Sequence, residues 1–144
     1  MADRLYLDAN VLISIVELSD RLGPQQVTML SAFTAGNIVA VSSDLALAEC
    51  LVKPMTDGDT SGIDAFVGLF DSGSLDLIAL DREVLVETAR LRATLRMKLP
   101  DAMHVAAASV GNCTGFVTAD NGVRLPQTMR RIPWNALADF GEEG

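Results

Sequence analysis

Short apolar runs of strand-like composition alternate along this chain with longer segments of helical pattern, and this alternation constrains the fold most. The strand-like runs cover residues 5–7, 38–41, 75–80, 115–118 and 130–132. Strands that alternate with helices are typical of a parallel sheet covered by helices. The pattern therefore predicts an α/β fold with a central parallel sheet between two helical layers.

The segments between these runs carry the signals of helices. We predict helices over residues 10–18, 24–35, 44–53, 63–71, 82–96 and 100–110. The first is apolar on nearly every side, which predicts a buried helix, and the third is expected to end before Pro54. Residues 53–62 are polar and predict a loop. The helix from Arg82 presents one apolar stripe, formed by Val84, Leu85, Thr88, Leu91 and Leu95.

Length and composition limit the class of protein. The 144 residues have 49% hydrophobic and 21% charged side chains, which suffices for one well-packed domain and excludes a disordered chain. No apolar run approaches the roughly 20 residues that cross a bilayer, and the first residues do not resemble a signal peptide. We therefore expect a cytoplasmic protein without a membrane segment. Two cysteines, Cys50 and Cys113, exclude a disulfide scaffold and predict buried thiols.

The charge is distributed unevenly between the two halves of the chain. The formal net charge is −8, from 11 basic and 19 acidic residues. Residues 1–72 contain only 3 of the basic residues but 10 of the acidic ones. An acidic total does not favour nucleic-acid binding, unless many of the carboxylates are gathered to hold cations.

Four acidic residues stand where the surrounding pattern predicts burial. Asp8 and Asp120 each follow a strand-like run, Glu49 lies within an apolar helical segment, and Asp101 lies in the first turn of a helix. Each has an ordinary alternative, as a helix cap, a partner of the helix dipole or an outward-facing side chain. Ligands in parallel sheets bind beyond the carboxyl ends of the strands, so all four can converge there.

Converging carboxylates repel one another unless a cation neutralises them. Hard oxygen ligands without histidine or cysteine favour Mg²⁺ or Mn²⁺. Asn10 and Thr118 place an amide and a hydroxyl near the first and last acids and predict supporting roles. His104 lies one helical turn after Asp101, where a packed, hydrogen-bonded histidine is expected and a substrate contact or proton carrier is the alternative.

Four segments in order resemble PIN-domain ribonucleases of the VapC toxin type. They read YLDANVLI from Tyr6, SDLALAEC from Ser43, LPDAMHVAAA from Leu99 and FVTADN from Phe116. The resemblance implies a PIN-like, three-layer nuclease domain over residues 1–144, with a core at about 4–132 and a short acidic tail. One departure is Asn121-Gly122-Val123, where the family often has a charged and an aromatic residue.

The resemblance also implies an activity, a site and partners. The implied activity is metal-dependent RNA cleavage, and the implied partners are an RNA substrate, a cognate antitoxin and a second copy of the chain. Asp8 and Asp101 match the main ligands of Mg²⁺ or Mn²⁺, completed by Glu49 and Asp120. Candidate contacts to RNA phosphates are Arg90, Arg92, Arg96, Lys98 and Arg124.

Three other classes of protein remain open at this point. A metal-dependent phosphatase of the haloacid-dehalogenase kind needs an acid two residues after its nucleophile, where this chain has Asn10. A response-regulator receiver needs a lysine near the last strand, which is missing. A catalytically silent adaptor or RNA-binding domain does not need all four acids.

Overall fold

A computed structural model describes residues 2–135 of the chain. The strands are β1 (Asp3–Leu7), β2 (Ile38–Ser43), β3 (Asp76–Ile78), β4 (Gly115–Thr118) and β5 (Arg130–Pro133). The helices are α1 (Ala9–Glu17), α2 (Pro24–Ala35), α3 (Asp44–Thr56), α4 (Thr60–Asp71), α5 (Arg82–Leu95) and α6 (Leu99–Val110). The acidic tail predicted from Asp139 lies outside the described residues.

The five strands form one parallel sheet in the order β3-β2-β1-β4-β5. This confirms the predicted α/β fold. The chain builds outward from β1 through β2 and β3, then returns to the other side of β1 with β4 and β5. The carboxyl ends of β1 and β4 therefore lie side by side where the strand order reverses, which is where parallel sheets bind ligands.

Alternate side chains of β1 supply the two halves of the core. Leu5 and Leu7 pack with α1, α3 and α4 on one face of the sheet. Tyr6 points to the other face and packs with α5 and α6. This alternation follows from the two-residue period of a strand and produces three layers. None of the helices in residues 2–135 is both long enough and apolar enough to span a bilayer.

Gly115 begins β4 at a point where neighbouring side chains leave no room for another. A Cβ atom there would lie 2.7 Å from Leu5 Cδ2 and 2.9 Å from Ile132 Cδ1. The glycine therefore allows the side chains of the two neighbouring strands to close over β4.

The region around Pro54 differs from its prediction. The loop expected over residues 53–62 is wrong, because α3 continues through Pro54 to Thr56 and α4 begins at Thr60. Only a short turn separates the helices, and the Asp59 side chain caps α4 by accepting from the Gly62 N–H at 3.0 Å. Pro54 is buried against α4, and this packing offsets the helix hydrogen bond that proline lacks.

Three smaller predictions differ from the structure in extent or burial. Strand β3 is shorter than residues 75–80, and α1 is fully buried only near its start, at Ala9, Val11 and Leu12. In the α5 stripe, Leu85 is exposed although the other positions pack inward. The reason is that α5 packs against α6 along a narrow line, which the sequence does not define.

Both cysteines are free and buried, as expected. Burial raises the pKa of Cys50 to about 12 and that of Cys113 to about 11. Both thiols are therefore protonated and unreactive near neutral pH.

Candidate active site

Asp8 is fixed at the end of β1 by hydrogen bonds to both of its carboxylate oxygens. Its Oδ1 accepts from the Val11 N–H at 3.0 Å, which makes Asp8 the N-cap of α1. Its Oδ2 accepts from the buried Thr118 hydroxyl. Burial raises the pKa of the Asp8 carboxyl, while the bonds from Thr118 and Val11 lower it in part. Asp8 can therefore cap α1 and also belong to the candidate site.

Thr118 also joins the first acid to the last one. Its hydroxyl oxygen accepts from the Asp120 backbone N–H at 2.9 Å while the hydroxyl donates to Asp8. Because Leu7 and Val117 are paired across β1 and β4, the residues that follow these strands meet at one edge. The exposed Asp120 carboxylate accepts from the Gly122 N–H at 2.7 Å through Oδ1.

Glu49 on α3 is held by a histidine rather than by a lysine or arginine. Nε2 of His104 contacts Glu49 Oε1, and Nδ1 of the same ring lies 2.6 Å from the Tyr6 hydroxyl. The Tyr6 hydroxyl also lies 2.8 Å from Ser43 Oγ. The expectation of a packed, hydrogen-bonded His104 is therefore correct: the ring is 5% exposed.

Asp101 is half-buried in the first turn of α6, where its sequence pattern placed it. Burial raises the pKa of its carboxyl, and the negative charge of Asp120 raises it further. Lys98 and His104 oppose these effects. Asp101 and Asp120 repel each other, and both line the same pocket.

The four acids meet in one pocket of about 140 Å³ at the carboxyl edge of the sheet. Its lining consists of Asp8, Ala9, Asn10, Ile13, Glu49, Asp101, His104, Asp120 and Val123. The structure thus brings the predicted acids and Asn10 together. Thr118 does not line the pocket, but it forms hydrogen bonds with two residues that do, Asp8 and Asp120.

The donor set of this pocket suits a hydrated divalent ion. Within residues 2–135, no three side chains of His, Cys, Asp or Glu are arranged to hold a metal ion directly. Four carboxylates around the pocket nevertheless supply hard oxygen donors and an excess of negative charge. Mg²⁺ keeps several of its waters when it binds to proteins, and the pocket has room for such waters.

The predicted RNA-contacting residues divide into two groups. Arg96, Lys98 and Arg124 line a second pocket of about 270 Å³, which also contains Asp101 and Asp120. Arg90 and Arg92 do not line either pocket. Arg90 forms an ion pair with Glu87 on α5, and Arg92 Nε donates to the Met97 carbonyl at 3.3 Å.

Three supporting residues were not predicted from the sequence. Tyr6 contacts His104 and is itself held by Ser43, and Arg131 donates to the carbonyls of Asp120 and Val123, which fixes the loop after β4. In the sequence, Tyr6 has the pattern of an ordinary strand residue and Ser43 that of an ordinary helix cap. Arg131 lies in β5, and its only sequence signal was the basic pair with Arg130.

A model of the PIN domain matches residues 5–127. The chain belongs to the PIN domain family. The matched residues include all four acids and the rest of the pocket lining.

Solved structures with the same fold include chains of toxin–antitoxin complexes. A chain of VapBC2 from Rickettsia felis, bound to a DNA fragment from the promoter, is 15% identical with a TM-score of 0.72, over 91% of this chain and 98% of its own. DNA-bound VapBC from Salmonella typhimurium has 17% identity and a TM-score of 0.66, over 93% of this chain and 99% of its own. VapBC-5 from Mycobacterium tuberculosis has 17% identity and a TM-score of 0.56, over 90% of this chain and 98% of its own. These similarities establish the fold.

The comparison with curated proteins gave no sequence match.

Proposed function

We propose that this PIN-domain chain is a divalent-metal-dependent endoribonuclease and the toxin of a VapBC-type toxin–antitoxin pair. One observation carries the proposal: Asp8, Glu49, Asp101 and Asp120, from four separate parts of the sequence, line one pocket. Gathering four carboxylates is unfavourable without a cation, so a function that uses one accounts for the arrangement. The proposed nuclease domain spans residues 1–144, with its core at about 4–132.

Each acid has a distinct role in this proposal. Asp8 and Asp101 are the main ligands of Mg²⁺ or Mn²⁺, and Glu49 and Asp120 complete the shell directly or through water. An ion held by these residues would supply Lewis-acid chemistry, in the form of a more acidic water and partial neutralisation of the phosphate charge.

The surrounding side chains orient these carboxylates. Thr118 and the Val11 N–H fix the two oxygens of Asp8, and His104 fixes Glu49. Asn10 is exposed on the pocket wall, where its amide can donate to a phosphate oxygen or a water. Support of this kind holds metal ligands in one orientation and commonly changes metal affinity or activity about 10–100-fold.

The proposed partner is a cognate antitoxin that inhibits by inserting an arginine or lysine among the four acids. The negative pocket supports this, because a cation from the partner would replace the metal charge. The VapBC complexes with the same fold also support a protein partner.

We further propose that the chain forms a homodimer and that this dimer acts on RNA in the cytoplasm.

The alternative activities make different use of the same pocket. A haloacid-dehalogenase-like phosphatase would need an acid at Asn10, whose amide cannot serve as one. A silent adaptor would bind RNA without cleaving it.

Cleavage of a structured RNA tests the proposal. We expect cleavage by the purified protein in Mg²⁺ or Mn²⁺, none in chelator, and none by Asp101→Asn in either condition. The matched control is Asp64→Asn, which makes the same charge change on the exposed face of α4 and should cleave normally. RNA binding without cleavage by the wild-type protein would favour the adaptor, and equal cleavage by both variants, in protein free of contaminating nuclease, would refute the role of Asp101.

A further inference from the structure

Arg96 ends α5 in a backbone conformation that favours glycine. Its φ is 54° and its ψ is 40°, in the left-handed region, and its N–H donates to the Arg92 carbonyl. A side chain with a Cβ atom is strained in this conformation, and helices usually place glycine there. Glycine would therefore stabilise this turn, and an arginine in its place points to a role for the side chain.

Two other arginines hold the turn around Arg96. Arg92 Nε donates to the Met97 carbonyl at 3.3 Å, and Arg124 Nη1 donates to the Leu95 carbonyl at 2.6 Å. In the described part of the chain, the side chains of Arg96 and Lys98 make no hydrogen bond or ion pair. The turn that carries these two exposed cations is thus held at its backbone, and their side chains are available to an anion.

Both side chains line the second pocket, which adjoins the carboxylate pocket. Asp101 and Asp120 belong to both pockets, and Met97, Gly122 and Arg124 complete the lining of the second one. Asp101 and Asp120 thus lie between the proposed cation site and the pocket that contains Arg96 and Lys98. An anion in the second pocket lies beside the phosphate that would be cleaved.

We infer that Arg96 and Lys98 bind a backbone phosphate of the RNA strand that neighbours the phosphate being cleaved. The inference rests on the proposed function. Phosphates follow one another closely along an RNA strand, so a strand with one phosphate at the acids brings a second one to the adjoining pocket. A guanidinium can donate two parallel hydrogen bonds to that phosphate. The pair of cations also offsets the repulsion between the strand and Asp101 and Asp120.

Substitutions at Arg96 separate the side chain from the backbone conformation. Arg96→Gly should raise the melting temperature by about 2–4 °C, because it relieves the left-handed strain. It should also raise the KM for RNA cleavage about tenfold, as expected for the loss of a charged hydrogen bond. Arg96→Ala keeps the strain and should show the same rise in KM without the stabilisation, whereas Arg96→Lys should recover most of the affinity.

Asn112→Gly is the matched control. Asn112 also has a positive φ, of 58°, but it follows α6 and lines neither pocket. This variant should raise the melting temperature less than Arg96→Gly, because asparagine tolerates the left-handed conformation better than arginine, and it should leave the KM unchanged. A rise in KM in Asn112→Gly equal to that in Arg96→Gly would overturn the inference, because the backbone would then be its cause.

The salt dependence of RNA binding identifies a phosphate contact. We would measure the fluorescence anisotropy of a labelled single-stranded RNA in an Asp8→Asn background, since Asp8 is not part of the second pocket. Removal of one phosphate contact should reduce the slope of log affinity against log salt by about 0.7. An unchanged slope and KM in Arg96→Ala and Arg96→Gly would overturn the inference. If the wild-type protein does not cleave RNA at all, the proposed function fails instead.

Discussion

The Tyr6 hydroxyl lies 2.6 Å from Nδ1 of His104, a histidine whose other ring nitrogen contacts Glu49 in the site. Burial raises the pKa of the Tyr6 phenol well above its usual range, so Tyr6 keeps its proton. If Tyr6 donates to Nδ1, then the Nε2–H of a neutral His104 donates to Glu49, and Ser43 donates to Tyr6. The orientation of the half-buried Glu49 carboxylate thus depends on residues in the core.

Tyr6→Phe tests this dependence. Loss of the hydroxyl leaves buried polar atoms of Ser43 and His104 without a partner, so the free energy of unfolding should fall by about 1–3 kcal/mol. RNA cleavage should fall about tenfold, because Glu49 is less firmly oriented. Thr88→Val is the control: it removes a buried hydroxyl that bonds only within α5, and should lower stability without lowering cleavage. Equal activities of the two variants would contradict the positioning role.

Asp8→Asn and Thr118→Val should lower cleavage to different degrees. Asp8→Asn removes a charged metal ligand and should reduce cleavage at least 100-fold. This loss exceeds the effect expected of a residue that only supports a metal ligand. Thr118→Val removes only the hydroxyl that links Asp8 to Asp120 and should reduce it about 10–100-fold. Cleavage rates at saturating Mn²⁺, with circular dichroism as the test of folding, check both values. The assignment of Asp8 fails if folded Asp8→Asn cleaves at the wild-type rate.

Asp101→Asn should change stability in opposite ways with and without metal. Without metal it removes repulsion with Asp120, so the variant should be as stable as the wild type or more stable by about 0.5–2 kcal/mol. The lower part of this range is expected because Asp101 is only half-buried. Added Mg²⁺ or Mn²⁺ should raise the melting temperature of the wild type more than that of the variant.

Thermal melts in chelator and in millimolar metal measure these effects. If Asp101 only stabilised the helix dipole, the substitution would lower stability and metal would have no effect. That pair of results would remove the support for a shared cation.

The stability contributed by Asp8 should depend on pH with a defined sign. Its pKa in the folded protein is raised, so the native state binds the proton more tightly than the unfolded chain. In chelator, the unfolding free energy of the wild type minus that of Asp8→Asn should therefore fall as the pH rises above about 4. At saturating Mg²⁺ the difference should instead rise, because the ion binds the carboxylate. Urea unfolding at several pH values measures it, and a pH-independent difference would contradict the raised pKa.

Expression in bacteria tests the toxin role. The wild-type protein alone should slow growth, and co-expression of a small neighbouring gene for an antitoxin should restore it. Asp8→Asn should not slow growth at an equal soluble level. No effect of well-expressed, soluble wild type would count against a toxin.

Local sequence determined most of the secondary structure and the identities of the acids. Helix α2 ends where Gly36 adopts a positive φ of 80°, and β4 has the predicted bounds, because these signals act within a few residues. The α/β class follows from the alternation of strands and helices. The four acids stood out because each interrupts an apolar pattern.

Tertiary structure alone decided which side chains meet. Helix α3 continues through Pro54 because α4 packs against it, a contact that local propensity does not include. Tyr6 and His104 are far in sequence from each other and from Ser43 and Glu49, and the four are joined only by the packing of β1, β2, α3 and α6. Likewise, Arg96 and Arg90 looked alike as candidate RNA contacts until the end of α5 placed one beside the acids and left the other with Glu87. Helix and strand periods act over a few residues, whereas a site depends on contacts between distant segments, and only the packed sheet fixes these.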